Sequence, residues 1–196
     1  MNNMRRTVGC FVLAISMTML APCMLARQDR KGDKHHHDDA FVPGQGSEGR
    51  LAQEVRHQLV MLPYYSIFDD LGFRVEGSTV ILEGQVTRPT LKSDAENVVK
   101  RIEGVTNVVN NIEVLPLSPN DDRIRMAVAR AIYGDPQIGD RYGNRALPPI
   151  HILVKNGNVT LEGVVANQLD KNLVNVRANS VPGVFKVTND LMVEGK

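Results

Sequence analysis

The sequence contains no tryptophan, and its two cysteines, Cys10 and Cys23, both fall near the start of a 196-residue chain. A chain without cysteine beyond that point has no disulfide framework, so its domains must be held by packing alone. Aromatic residues make up only 5% of the total, and the 23 basic residues are nearly balanced by 22 acidic ones, a formal net charge of +1. Sparse aromatics and balanced charge argue against nucleic-acid binding. Long apolar stretches are missing too. The longest run, Val8 to Ala21, is 14 residues, short of the roughly 20 that a spanning helix needs.

That run does fit a secretory signal over residues 1–26: Arg5 and Arg6 supply a basic start and Ala26 a small residue at the cut. Leu20-Ala21-Pro22-Cys23 is a rival processing box in which Cys23 would be acylated, and Pro22 argues against it. A chain starting at Arg27 would carry 21 basic and 22 acidic residues, net −1. Charge then divides unevenly. Leu51 to Pro116 has 6 basic and 9 acidic residues, whereas Leu117 to Lys196 has 10 and 8, so an anionic partner would meet the second half.

What the sequence does contain is itself, twice. Val75 to Val114 aligns with Val154 to Val193 at a constant offset of 79, with 12 identities in 40 pairs. Chance composition would give two or three, so the repeat predicts two modules of about 70 residues, at 51–116 and 121–194, behind a polar tether at 27–50. The tether has no apolar periodicity and is expected to be disordered. Within it His35, His36 and His37, followed by Asp38 and Asp39, are the only candidate metal ligands. Consecutive imidazoles in a loop lack preorganisation, so adventitious chelation is the plainer reading.

In each module a helical stripe comes first: Leu51, Val55 and Leu59, ended by Pro63, matched by Ile124, Val128 and Ile132, ended by Pro136. The offset here is 73, which places a six-residue insertion in the second copy within Gln137 to Pro149. Two strands follow, Phe73 to Glu76 and Thr79 to Val86, repeated at Ile150 to Lys155 and Asn158 to Val165 around the tight-turn pair Asn156-Gly157. A helix then carries Leu91, Ala95, Val98, Val99 and Ile102, and a last strand runs from Asn107 to Val114, repeated from Lys186 to Val193. One sheet face alternates apolar residues, so the economical fold is α+β: two repeated two-layer sandwiches, each helix-strand-strand-helix-strand. Gly84, Gly104, Gly163 and Gly183 fit turns or positive φ. Asn110 and Asn189, on the apolar phase of the last strand, fit the hydrogen bonding of a bulge.

Val-x-Leu-Glu-Gly-x-Val at Val80–Val86 and Val159–Val165, followed by Gly-Val-x-x-Val-x-Asn at Gly104–Asn110 and Gly183–Asn189, resembles the BON domain of bacterial osmotic-stress and nodulation proteins. The resemblance implies a non-enzymatic envelope protein of the periplasm, associated with the outer membrane and osmotic stress. Its implied partners are phospholipid surfaces or, alternatively, other exported proteins served in a chaperone-like way, with peripheral rather than integral membrane contact and no cofactor. In a related dual-domain lipoprotein the first helix of the second copy contacts anionic lipid, which corresponds here to Asp121–Tyr133. Arg123, Arg125 and Arg130 on that helix are the candidate lipid-binding residues, since cations beside an apolar stripe suit phosphate headgroups. Glu83 and Glu162 repeat on an exposed strand phase, but each module supplies one such acid with no catalytic partner. His57 and His151 have no ligand-forming neighbour in sequence.

Overall fold

The computed structural model describes residues 38–39 and 49–195, all within one compact unit. The leader over residues 1–26, Cys23 and His35 to His37 lie outside the described residues. The first module runs α1 (Arg50–Val60), β2 (Asp70–Glu76), β3 (Thr79–Val86), α2 (Pro89–Val99), β4 (Asn107–Asn110) and β5 (Glu113–Val114). A short strand β1 (Asp38–Asp39) precedes it. The second module runs α3 (Pro119–Tyr133), α4 (Pro136–Ile138), a π-helical turn at Gly139–Gly143, β6 (Ile150–Lys155), β7 (Asn158–Val165), α5 (Gln168–Asn179), β8 (Lys186–Asn189) and β9 (Met192–Val193). Both modules are α+β with the expected order of elements.

β2 and β3 form an antiparallel hairpin, and β4 then returns parallel to β3, with Val80 opposite Val108. The second module repeats this, Val159 standing opposite Val187. A parallel return needs a crossover, which α2 and α5 supply. Both helices of a module pack on one sheet face over cores that include Val55, Leu59, Leu71, Phe73, Leu82 and Val99 in the first, and Ile124, Val128, Ile152, Leu161 and Val174 in the second. Each such side chain contributes about 1.5 to 3 kcal/mol by leaving water, and no disulfide assists among the described residues.

The last strand is broken where one continuous strand was expected. Asn110 explains the break: its amide donates to Lys92 O (2.9 Å) and its side-chain oxygen accepts from Ile112 N (3.2 Å). Asn189 repeats both bonds with Lys171 O (2.9 Å) and Leu191 N (3.3 Å). The asparagine therefore replaces ladder hydrogen bonds at a bulge and ties it to the crossover helix. Gly84 and Gly163 also lie within strands rather than at turns. At φ of +113° and +112°, a Cβ on them would meet Asp70 O at 2.3 Å and Pro149 O at 1.9 Å.

Part of the expected tether is structured, since Asp38 and Asp39 pair antiparallel with Phe73 and Gly72 of the outer strand β2. An unpaired edge has free N–H and C=O groups, and the chain's own backbone fills them there. In the second module the outer edge of β6 is satisfied in three other ways. Tyr133 Oη donates to Ile150 O (2.6 Å), Ile152 N donates to Ile67 O of the first module (2.7 Å), and Arg125 donates to Val154 O (2.8 Å). Burial pushes the Tyr133 hydroxyl far above its usual pKa, so it remains a donor.

The Gln137–Pro149 insertion is no free loop. Ile138 and Tyr142 from it are buried in the second core. Tyr142 Oη accepts from Ala166 N (2.8 Å) and donates to the buried Asp170 (2.5 Å), which Arg141 also grips.

Candidate functional site

Helix α3 begins with a side-chain cap, Ser118 Oγ accepting from Asp121 N at 3.2 Å, and presents Ile124, Val128 and Ile132 to the core. The remaining faces carry the three arginines, and the structure separates them. Arg123 and Arg130 are exposed, with Met126, 49% exposed, at helical spacing between them. Their side-chain partners are neutral oxygens, Asn120 Oδ1 at 2.9 Å and Met126 O at 3.2 Å, so both keep their charge facing solvent. Arg125 departs from expectation. It is 5% exposed, ion-paired with Asp122, and bonded to Val154 O. Its position points it at the sheet edge, where it serves a strand carbonyl instead of an external anion.

Asp121, at the start of the same helix, is buried and turned toward the β6–β7 hairpin. Its carboxylate accepts from Asn156 N (2.9 Å) and Gly157 N (2.8 Å). Those residues have φ of 52° and 75°, the left-handed pair of a tight hairpin turn. The ring of Phe185 crowds Gly157, where a Cβ would lie 2.5 Å from Cδ2, and its N–H donates to Gly157 O at 2.9 Å. Phe185 is nevertheless 81% exposed, and Lys186 beside it is exposed as well. The Arg123 guanidinium approaches Gly183, with its Nη2 3.4 Å from where a Cβ would stand. One end of the second module thus gathers Arg123, Phe185 and Lys186. Phe185 and Lys186 were not singled out from sequence, although the aligned Thr106 and Asn107 of the first copy mark both as departures.

The remaining sequence candidates are structural in their surroundings. Gly104 and Gly183 have φ of 95° and 93° at the turn after each crossover helix. Glu83 is ion-paired with Arg74 at 3.0 Å. An open groove of about 630 Å3 lies between α1 and α2, lined by Arg50, Leu51, Glu54, Gln58, Arg101 and Ile102 among others. A smaller one of about 320 Å3 lies where the modules meet, at Gln85, Leu153, Lys155 and Asn158. Neither includes Glu83 or Glu162. Among the described residues no group of three or more histidine, cysteine or acidic side chains could hold a metal ion, and no helix is long and apolar enough to cross a membrane.

His151 is wholly buried at the contact between modules, with Nδ1 2.7 Å from Asp69 O and the ring tilted against Tyr65 at 5.8 Å. A carbonyl only accepts, so Nδ1 carries the proton. Ile67 and Phe68 of the first module pack against the core of the second, and Lys155 pairs with Glu113 across the same boundary. The hydrogen bond from Lys155 holds the Glu113 carboxyl below its usual pKa.

No curated protein matches the chain at a significant level. Among solved structures it is similar to the C-terminal domain of CdsD, a structural protein of the type III secretion system of Chlamydia trachomatis, at 13% identity and a TM-score of 0.29, covering 76% of this chain and 99% of that one. A second CdsD structure gives 14% identity and a TM-score of 0.27, over 74% and 93% of the two chains. Likeness at that level carries no functional argument. The BON domain family model matches residues 47–116 and 120–195, nearly the whole of both modules, and the chain belongs to the BON-domain family, with the domain present twice.

Proposed function

We propose that this protein is a non-catalytic component of the bacterial envelope, exported to the periplasm, that associates peripherally with anionic phospholipid surfaces through its second module and supports envelope integrity under osmotic stress. The observation that carries the reading is the grouping of Arg123, Phe185 and Lys186 at one end of that module, with Arg130 further along the same helix. An exposed aromatic ring flanked by cations suits a headgroup boundary, the ring entering the acyl edge and the cations meeting phosphate. Each such charge is worth about 1 kcal/mol near an anionic leaflet, so binding is reversible and weakened by salt.

Flotation with phosphatidylglycerol-containing vesicles tests this. The wild-type chain is expected to float with anionic and not with purely zwitterionic vesicles, and to be released by salt. Neutralising the pair, Arg123→Gln with Arg130→Gln, is expected to weaken binding by roughly tenfold or more, and Phe185→Ser to weaken it independently of salt. Binding untouched by these changes would refute the surface; absence of binding to any anionic vesicle would refute the lipid reading, and retention of exported client proteins would then favour the protein-directed alternative.

A further inference from the structure

The chain contains a single Asn-Gly pair, Asn156-Gly157, and it forms the turn between β6 and β7. Asparagine followed by glycine is prone to modify itself, because glycine has no side chain to shield its nitrogen from the neighbouring amide. In that reaction the bond from Gly157 N to Asn156 Cγ forms and the Cγ–Nδ2 bond breaks. The proton shed by the attacking nitrogen leaves with the amide as ammonia. Water then opens the cyclic imide at either of its carbonyls and leaves aspartate or isoaspartate at 156. Asn156 is exposed, so water reaches it. No other reactant is consumed.

The fold holds this turn from both sides. Gly157 is buried, and its N–H donates to Asp121 Oδ1 at 2.8 Å while the Asn156 N–H donates to Oδ2 at 2.9 Å. Attack requires the glycine nitrogen to give up its proton. A carboxylate at hydrogen-bond distance stabilises the N–H and opposes the negative charge that its loss creates. Opposite, Gly157 O accepts from Phe185 N at 2.9 Å and the Phe185 ring crowds the glycine. Both turn residues are left-handed, at φ of 52° and 75°, and ring closure requires the Asn156 backbone to leave that paired geometry.

We infer that Asn156-Gly157 is a deamidation site kept closed by the first turn of α3, with Asp121 as its guard. The pair reacts only when that helical turn lifts away from the hairpin. The first copy has no counterpart, since Gly77 and Ser78 stand at the aligned positions and neither carries a side-chain amide. Conversion places a carboxylate at the end that gathers Arg123, Phe185 and Lys186, and so lowers the positive charge there. The chemistry itself does not depend on the lipid reading.

Peptide mapping by mass spectrometry follows the amide-to-acid conversion at residue 156 in the full chain, incubated at mildly alkaline pH in buffer and in urea. Opening the turn gives up both bonds to Asp121, so the folded wild type is expected to convert at least about tenfold more slowly than the unfolded chain. Asp121→Ala is expected to raise the folded rate by about the same factor, and Asp121→Asn, which keeps the shape and loses the charge, by less. Circular dichroism checks that each variant is folded; if Asp121→Ala is not, Asp121→Asn carries the test. Tyr142→Phe weakens the same module at the other end of β7 and is expected to leave the rate at 156 unchanged. Equal rates in folded and unfolded wild type overturn the proposal. So does a folded rate that the Asp121 variants leave unmoved, or one that Tyr142→Phe raises as much as they do, which would assign the protection to the stability of the whole module.

Discussion

The corner where the second strand of each hairpin hands over to the crossover helix is built twice from different side chains. In the first module the buried carboxylate of Asp69 accepts from Thr87 N and Oγ1, both at 2.7 Å, and from Ser66 N and Oγ at 3.1 and 2.7 Å. Leu91, in the first turn of the crossover helix, is buried in the core. In the second, the N–H of Ala166, aligned with Thr87, is accepted by Tyr142 Oη, and Asp170 stands where Leu91 did. The same orphan backbone donor must be satisfied in both, because a buried N–H without a partner costs about 1 to 3 kcal/mol. Duplicated sequences thus conserve a requirement, and the residues that meet it can change.

The largest expected effect strikes what the copies share. Gly163→Ala sets a Cβ against Pro149 O and is expected to cost about 3 kcal/mol or more by urea unfolding, with Gly84→Ala somewhat milder because Asp70 O stands slightly further away. Equal losses would show that only the positive φ matters. Next come the two acceptors: Asp69→Ala, which strands four donated hydrogen bonds, is expected to cost about 3 kcal/mol, and Tyr142→Phe, which strands the Ala166 N–H, about 2 kcal/mol. A sharper comparison moves one copy's residue into the other. Asp170→Leu is expected to destabilise by about 1 to 2 kcal/mol, and the double variant with Tyr142→Phe by less than the two singles combined, because each then loses a partner already gone. Additive losses would show that the two side chains act separately.

The smallest effect concerns pH. The guanidinium of Arg177 holds the Asp135 carboxyl below its usual pKa, with the Gln137 N–H helping. A depressed folded value means stability that is present at neutral pH and lost as pH falls through the ordinary carboxylate range toward that value. Arg177→Gln should therefore flatten the acid limb of an unfolding-midpoint profile and leave the first module's Glu96–Lys100 pair, on its exposed helix, untouched.

Most of the fold was legible because local chemistry and global packing agree at the repeated positions. The Val-x-Leu phase of β3 and β7, the Asn156-Gly157 turn and the glycines after each crossover helix can do little else. An asparagine on the apolar phase marked the bulge at Asn110, but the split into two strands was hidden, since strand periodicity continues through it to Ile112. Arg125 was misread for a related reason: a cation on a helix looks solvated until the strand beside it, 29 residues away, presents a carbonyl. For the candidate site, sequence found Arg123 and Arg130 by charge. It passed over Phe185 and Lys186, whose proximity to Arg123 depends on how β8 lies beside the hairpin.

The bond from Ile152 N to Ile67 O joins an outer strand of one module to a loop of the other, and it bears on how this gene could be cut or recombined. A fragment beginning at the second module would expose the middle of β6 to solvent or to another fragment's strand. The sequence repeats one BON domain, but the edge of the second copy is completed in part by a backbone oxygen of the first.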